Sequence, residues 1–532
     1  HKENKMDIKT IKTIESATEK SISSFAKLSL SLLFLLAVFL WTYSSHGKVP
    51  DNTFLIIGAI FGAYMALNIG ANDVANNVGP SVGAKALTLT GAIIIAGIFE
   101  SAGAIIAGGD VVNTIKSGII DPNLITDKNS FIWAMTAGLL AGAVWLNFAT
   151  SIGAPVSTTH AIVGGVMGAG IASAGFSILN WGSLFEIASS WIISPILGGI
   201  VAAGFLYFIK KQIVYKENML EQAQKFVPIL IAIMTWAFTT YLILKGLKQL
   251  INIGFYSASG ISILFAIVAY YLTKNSIEKN LSNLTNDRSS VNKLFTPALI
   301  FGAALLSFAH GANDVSNAIG PLAAINDAIM HGGTSVQASV PFWIMFVGAI
   351  GIVIGLVLYG PRLIKTVGSE ITELDQMRAF SVAMATAVTV ILASQLGLPV
   401  SSTHIAIGGV FGVGFLREAL DMSEKNYVQD IREKFKKHKK ELEKAQADLA
   451  KLEAIKDKNK STYIKIVELF KKIDEIEDLV KQEKKDFKEA KGTKYVKRDA
   501  VKKIIAAWII TVPTSALLAA GIYYMIKGIV AV

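Results

Sequence analysis

The fold is decided by the stretch Gly70-Ala-Asn-Asp-Val-Ala-Asn-Asn-Val-Gly-Pro80, because this stretch occurs twice. The second copy is Gly311-Ala-Asn-Asp-Val-Ser-Asn-Ala-Ile-Gly-Pro321, and eight of the eleven positions are identical. Each copy places an aspartate, asparagines and two glycines inside an otherwise apolar region. Duplication of so polar a segment predicts that both copies serve one site.

The composition around the two copies is that of a membrane protein. Of 532 residues, 52% are hydrophobic and 17% are charged, whereas a soluble chain carries about 25% charged residues. Several apolar runs reach or approach the roughly 20 residues that cross a bilayer as a helix. Because these runs are continuous and not alternating, they predict an all-α polytopic membrane protein and not a β-barrel.

A second motif is also duplicated. Residues 153–170 read Gly-Ala-Pro-Val-Ser-Thr-Thr-His-Ala-Ile-Val-Gly-Gly-Val-Met-Gly-Ala-Gly, and they match residues 397–414 at eleven of eighteen positions. The two motifs recur in the same order, offset by 241 residues from Gly70 to Gly311 and by 244 from 153 to 397. This agreement indicates an internal duplication, as in inverted-repeat transporters with broken helices.

A third pair, Trp191-Ile-Ile and Trp508-Ile-Ile, is separated by 317 residues. The larger offset indicates an insertion in the second half, and residues 421–503 are indeed rich in Lys and Glu. Apolar residues recur there in steps of three and four on both sides of a polar break, a heptad pattern. We therefore expect a soluble coiled-coil helical hairpin on the cytoplasmic side.

These boundaries divide the chain into seven parts. They are a cytoplasmic tail (1–24), an extra membrane helix (25–52), the first inverted repeat (53–210), connecting loops and membrane helices (211–293), the second repeat (294–420), the insertion (421–503) and a closing membrane helix (504–532).

The Asn-Asp segments have the chemistry of a cation site. Their glycines and prolines predict breaks in membrane helices, which persist only where protein or a water-filled cavity satisfies the backbone. Carboxylate and amide oxygens are hard ligands for a small hard cation, and intramembrane carboxylates are costly unless they function. The alternative for Asp73 and Asp314 is a helix cap or an interhelical hydrogen bond.

The second motif has the chemistry of an anion site. Hydroxyl residues follow Pro155 and Pro399 after a single valine. Proline and Ser/Thr favour the start of a helix, where free N–H groups attract anions. The short glycine-rich run that follows predicts a re-entrant helical hairpin in each half. Ordinary capping of a kinked helix is the alternative.

The four motif cores contain no Lys or Arg. A divalent anion beside two bare aspartates would be repelled strongly at low dielectric, so a bound cation or a proton must neutralise the site. This reasoning favours cation–anion symport.

The Gly-Ala-Asn-Asp-Val, Pro-Val-Ser-[Thr/Ser]-Thr-His and Trp-Ile-Ile segments together resemble the inorganic phosphate transporter (PiT) family. The resemblance implies a sodium- or proton-coupled phosphate symporter of inverted-repeat architecture, with alternating access at a midplane site between the repeats, and a homodimer. Some relatives carry sulfate, and some use protons. The 421–503 insertion is not a general feature of the family.

The resemblance also implies roles for individual residues. The cation-linked set is Asn72, Asp73, Asn76, Asn313, Asp314 and Asn317, and the phosphate set is Ser157, Thr158, Thr159, Ser401, Ser402 and Thr403. Glu100 stands where relatives carry a functional glutamate, whereas Ala383 stands in the second half where eukaryotic relatives often have one.

Other functions remain alternatives at this point. Asp73 and Asp314 alone would suit a cation exchanger, and Ser157 with His160 a hydrolase, although no acid partner accompanies them. His160 and His404 lack the spacing of a zinc site. The net charge of +11 lies mostly in loops and tails, which indicates orientation in an inner (plasma) membrane and not nucleic-acid binding. We expect no enzyme activity, and sodium as a co-substrate with no other cofactor.

Overall fold

A computed structural model describes most of the chain. The described residues are 24–50, 52–125, 127–152, 154, 156–246, 253–280, 284–331, 339–370, 374–420, 422–455, 460–492 and 498–530. The predicted tail lies outside this range except for Ser24.

Within the described residues the protein is helical, and its single β-bridge, Ile120 with Leu179, extends into no sheet. The α-helices in chain order are α1 (Ser24–His46), α2 (Asn52–Asn72), α3 (Val74–Gly83), α4 (Leu89–Ala107), α5 (Gly109–Ser117), α6 (Lys128–Ser151), α7 (Thr158–Ala174), α8 (Trp181–Ile209), α9 (Met219–Gly246), α10 (Phe255–Asn280), α11 (Arg288–Leu294), α12 (Thr296–His331), α13 (Phe342–Glu370), α14 (Gln376–Gln395), α15 (Ser402–Leu420), α16 (Met422–Glu453), α17 (Lys460–Gly492) and α18 (Arg498–Val530).

Eleven spans in the described part of the chain are long and apolar enough to cross a membrane. The two spans that contain the Asn-Asp segments are mostly buried inside the protein, as are those of α6, α13 and α14. The span nearest the N-terminus is α1, the extra membrane helix, and most of it is not buried inside the protein. Helical spans satisfy every backbone hydrogen bond internally, as a lipid core requires. The prediction of an all-α polytopic membrane protein is confirmed.

The two Asn-Asp segments differ in backbone. In the first copy, α2 ends at Asn72 and α3 begins at Val74, with Asp73 between them. In the second copy, α12 runs without interruption for 36 residues through Gly311 and Pro321. The prediction of a helix break in the second copy was therefore wrong. Glycine is tolerated here because the backbone of Glu100 lies where a side chain at Gly311 would be, so close packing offsets the low helix propensity of glycine.

The hydroxyl segments lie at interruptions in both halves. Helices α6 and α7 are separated by residues 152–157, and helices α14 and α15 by residues 396–401. Helix α7 has 17 residues and α15 has 19, which is at or below the length that spans a bilayer. Pro155 lies outside the described residues. The re-entrant hairpins remain a prediction.

The closing helices cross between the halves. A Cβ at Gly164 or Gly168 of α7 would meet the backbone of α18, and a Cβ at Gly408 or Gly412 of α15 would meet the backbone of α8. Small residues permit this approach of helices in a membrane. Thus the helix that ends the second half packs on the first hydroxyl helix, and the helix that ends the first half packs on the second.

Residues 414–496 form a compact unit of their own. Within it, α16 and α17 pack on each other, with Ala445 and Ile476 buried between polar outer faces. The Nδ1 of His438 lies 2.9 Å from Oε1 of Glu483. The two helices thus pack on each other within this unit, and the coiled-coil hairpin on the cytoplasmic side stays a prediction.

Candidate functional site

Asp73, at the interruption between α2 and α3, contacts both hydroxyl segments. Its side chain is buried, and its carboxylate accepts hydrogen bonds from Thr158 Oγ1 at 2.5 Å and Thr403 Oγ1 at 3.1 Å. Thr158 belongs to the first half and Thr403 to the second. One carboxylate therefore joins the two halves, and each bond to it is charge-assisted while it is ionised.

The second copy makes the matching contacts. Asp314 accepts a hydrogen bond from Ser402 Oγ at 3.0 Å, as Asp73 does from Thr158. Asn317 Nδ2 donates across the halves to Thr158 and Thr159, at 3.1 Å each. Asn76 Nδ2 donates in the opposite direction to Thr403 Oγ1 at 2.9 Å.

The first asparagine of each copy fixes the end of the helix before the hydroxyl segment. Asn72 Nδ2 donates to Thr150 Oγ1 at 3.0 Å and to the carbonyl of Ala154 at 3.2 Å. Asn313 makes the same pair of bonds in its own half, to Ser394 Oγ and the carbonyl of Leu398, each at 3.1 Å. Ser394 and Leu398 lie 244 residues after Thr150 and Ala154, their counterparts in the first half. The contacts of the two asparagines therefore repeat with the same offset as the duplicated sequence.

The side-chain oxygens of these asparagines are left without donors. The amide nitrogens are all used, whereas the Oδ1 atoms of Asn72, Asn76, Asn313 and Asn317 have no hydrogen-bond partner among the described residues, and neither has Oδ1 of Asp314. A buried acceptor without a partner costs about 1–3 kcal/mol. These oxygens belong to the same two segments as Asp73 and Asp314, and they are hard ligands of the kind that suits a small cation.

The grouping of carboxylates points the same way. One ligand atom each from Asp73, His310 and Asp314 lie within 4.8 Å of one another, and all three residues are buried. Two carboxylates this close repel each other strongly at low dielectric. A cation between them removes that repulsion.

The first serine of each hydroxyl segment caps the helix that follows it. Ser157 Oγ accepts from the backbone N–H of His160 at 3.1 Å, and Ser401 Oγ accepts from that of His404 at 3.2 Å. Capping, the alternative reading of these serines, is therefore what their oxygens do. Thr159 Oγ1 donates to the carbonyl of Val400, tying the two segments together at 2.9 Å. Both helix starts thus face the same site.

Glu100 joins this site through a residue that the sequence analysis missed. Its Oε1 accepts from Asn77 Nδ2 at 2.6 Å, and its Oε2 lies 2.7 Å from His310 Nδ1. The other ring nitrogen of His310 lies 3.0 Å from Asp314 Oδ2. His310 therefore links Glu100 to Asp314.

His310 and Asn77 were missed because neither is duplicated. Ile69 precedes the first glycine where His310 precedes the second, and Ala318 stands opposite Asn77. A search for repeated residues cannot find them. The available signal was an ionisable residue within an apolar helix, which by default marks function.

His160 and His404 lie beside each other between the halves. Their ring centroids are 4.4 Å apart, and each ring packs on a tryptophan, His160 on Trp191 and His404 on Trp508. Among the described residues no third metal-binding side chain is grouped with them. The pair gives no support to a zinc site or to a hydrolase, and it acts in the packing of α7 and α15 on the closing helices.

Comparisons with known proteins agree on one family. A family model described as "Phosphate transporter family" matches residues 69–519. A Helicobacter pylori (strain J99) protein that carries the name phosphate permease is 49% identical over 97% of this chain and 98% of its own length. A protein of the same name from Thermococcus kodakarensis is 39% identical over 71% of this chain and 93% of its own. A solved structure described as "The sodium-dependent phosphate transporter" is 30% identical, covers 89% of this chain and 99% of its own, and has a TM-score of 0.71.

Proposed function

The chain belongs to the phosphate transporter family, and from that membership we propose that it imports inorganic phosphate by sodium symport. The observation that carries the proposal is the convergence of both Asn-Asp segments and both hydroxyl segments on one buried site, through Asp73 and Thr403 across the two halves. The name of the solved structure, a sodium-dependent phosphate transporter, supports the choice of ion.

Sodium binds first in this mechanism, at the two carboxylates and at the amide oxygens that lack donors. Sodium is a co-substrate, and its ligands are the cation-linked set. This set consists of the carboxylates of Asp73 and Asp314 and the amide oxygens of Asn72, Asn76, Asn313 and Asn317. Thr158 and Ser402 hold the two carboxylates in position. Cations at this position neutralise the negative charge that would otherwise repel an anion.

Phosphate then binds at the helix starts. The hydroxyls of Ser157, Thr158, Thr159, Ser401, Ser402 and Thr403 form the phosphate set. In this proposal the hydroxyls of Thr158, Ser402 and Thr403, which donate to the carboxylates in the structure, turn to phosphate when it binds. The first N–H groups of α7 and α15 add positive potential there. Because the motif cores contain no Lys or Arg, phosphate affinity depends on the bound sodium, which is the physical origin of coupling.

Transport requires the site to open to each side in turn. The bonds from Asn76 to Thr403 and from Asn317 to Thr159 cross between the halves, so motion of one repeat against the other breaks and re-forms them. In this proposal the repeats are inverted and α6–α7 and α14–α15 are re-entrant hairpins, as in other transporters with a midplane site. The protein is a plasma-membrane homodimer whose N-terminal tail and 421–503 insertion face the cytoplasm.

The test is phosphate uptake into proteoliposomes, with sodium, lithium and proton gradients applied one at a time. We expect uptake with an inward sodium gradient and little with the other two. Uptake that is indifferent to all three gradients would refute coupling, and uptake of sulfate in place of phosphate would refute the substrate.

A proton-coupled symporter is the second candidate, and one observation favours it. His310 is held between the carboxylates of Glu100 and Asp314, an arrangement that can keep or release a proton inside the membrane. Uptake that follows the proton gradient in sodium-free medium would select this alternative. Cation exchange alone would leave the paired hydroxyl segments without a role.

A further inference from the structure

A cavity of about 440 Å³ lies against the N-terminal half of α1. Its other walls come from α2, α6 and α13, and Ala71 of the first Asn-Asp segment is among their residues. Its volume falls in the range of small-molecule sites, roughly 300–1,000 Å³. Helix α1 precedes the residues matched by the family model, so this wall is not part of the shared family core.

The cavity is basic. Lys27 and Arg362 line it, and none of its described lining residues is acidic. Hydroxyl groups complete the lining, because Ser31 Oγ and the hydroxyl of Tyr359 lie 3.0 Å apart within it. Arginine and lysine with hydroxyl donors are the usual partners of phosphate groups. The cavity thus offers the positive charge that the motif cores lack.

The cavity also adjoins the site. Thr150 lines it and accepts the hydrogen bond from Asn72. Asn68 also lines the cavity and is buried. Its Oδ1 accepts a hydrogen bond from Nδ2 of Asn147 at 3.4 Å. Polar groups therefore run continuously from the cavity to the first residue of the cation-linked set.

Comparison of the two halves gives an independent argument. At the motif offsets, Thr150 corresponds to Ser394, and both accept from a motif asparagine. Asn68, however, corresponds to Ala309, Asn147 to Ile391 and Tyr64 to Leu305. The repeat fold therefore does not require polar residues at these positions. Their polarity belongs to this cavity.

We infer that the cavity binds a tetrahedral phosphate-type oxyanion between Lys27 and Arg362. Free phosphate and the head group of an anionic lipid share this chemistry. A positive, low-dielectric recess concentrates anions about 10- to 1,000-fold. Its use as a vestibule that feeds the site rests on the proposed function, whereas the binding itself does not.

The chain has no cysteine, so a single introduced thiol reports on the cavity alone. Ser151→Cys lines the cavity, and Ser44→Cys, at the other end of α1, is the control. Both serines are exposed and donate to a carbonyl of their own helix. Each variant is treated with an anionic and a cationic methanethiosulfonate in sodium-free choline buffer. The ratio of the two rates cancels any change in thiol ionisation.

We expect the anionic-to-cationic rate ratio to be at least about tenfold higher at Ser151→Cys than at Ser44→Cys. Adding Lys27→Gln and Arg362→Gln should abolish that excess. If the combined variant does not purify as a monodisperse protein, Lys27→Gln alone replaces it in the same rate comparison. A ratio equal to that of the control would overturn the inference.

Protection experiments identify the source of the anion. In phosphatidylcholine nanodiscs, slowing of Ser151→Cys modification by millimolar phosphate supports free phosphate, and slowing only when phosphatidic acid is included supports a lipid head group. Protection by neither overturns the inference. The assay measures no transport, so absence of phosphate uptake with protection intact would refute the proposed function and leave this binding site standing.

Discussion

The hydroxyl of Thr403 offers the sharpest test of the site. It donates to Asp73 Oδ1 at 3.1 Å and accepts from Asn76 Nδ2 at 2.9 Å, and Thr403 is buried. Thr403→Val keeps the shape of the side chain and removes both bonds. The matched control is Thr386→Val, because Thr386 is also buried and bonds only to the carbonyl of Val382 in its own helix in the contacts described.

The size of the effect follows from the two lost bonds. A hydrogen bond to a charged group contributes about 1.5–3 kcal/mol. The amide of Asn76 also loses its acceptor, which adds a penalty of about 1–3 kcal/mol for a buried unpaired donor. Taking the charged bond alone, with 1.4 kcal/mol per tenfold, the sodium concentration for half-maximal uptake should rise about 10- to 100-fold.

The assay is sodium-dependent phosphate uptake into proteoliposomes, with both variants reconstituted at equal density. Thr386→Val should remain near the unmodified protein. If Thr403→Val stays within about threefold of that control, the hydroxyl does not position the cation-linked residues, and the assignment of the site is wrong.

Three further predictions concern packing, charge and the buried ion pair. Gly168→Val should lower the free energy of unfolding in detergent by about 1–3 kcal/mol, because the larger side chain overpacks against α18. Gly204→Val should change it little, because Gly204 has open space around it. Equal effects of the two substitutions would contradict the packing described. Glu100→Gln keeps the shape of the side chain but removes the charge beside His310. Because hydrogen bonds to charged groups contribute about 1.5–3 kcal/mol, kcat/KM for phosphate should fall about 10-fold or more. Unchanged uptake would exclude Glu100 from the mechanism. Lys116 forms a buried ion pair with Asp327. Lys116→Met should therefore lower the free energy of unfolding by about 3–5 kcal/mol, and adding Asp327→Leu should restore at least half of that loss. If the two losses simply add in thermal unfolding of the double variant, the pair is not coupled.

The sequence predicted the helical membrane class because that depends on local composition, and it singled out twelve motif residues because they are repeated in both halves. An apolar run of about 20 residues has few alternatives to a membrane helix. Polar residues repeated inside such runs are costly enough to mark a site. The partition into cation-linked and phosphate-linked residues remains a prediction that the uptake assays test.

Other features depended on three-dimensional packing. The unbroken α12 was not predictable, because whether Gly311 bends a helix depends on the backbone of Glu100 packed against it. The crossing of the closing helices onto the opposite halves was not predictable either, since it depends on long-range contacts at Gly168 and Gly412.

The sequence by itself determined that two polar segments of each half must be buried in a membrane protein. Only the tertiary structure decided that Asp73 bonds to hydroxyls of both halves, that His310 joins Glu100 to Asp314, and that Lys27 and Arg362 line a cavity beside Asn72. The physical reason is that residue types and their spacing fix which groups need partners. Which partner each one finds depends on helix packing between residues far apart in the chain, by 210 positions for Glu100 and His310 and by 330 for Asp73 and Thr403.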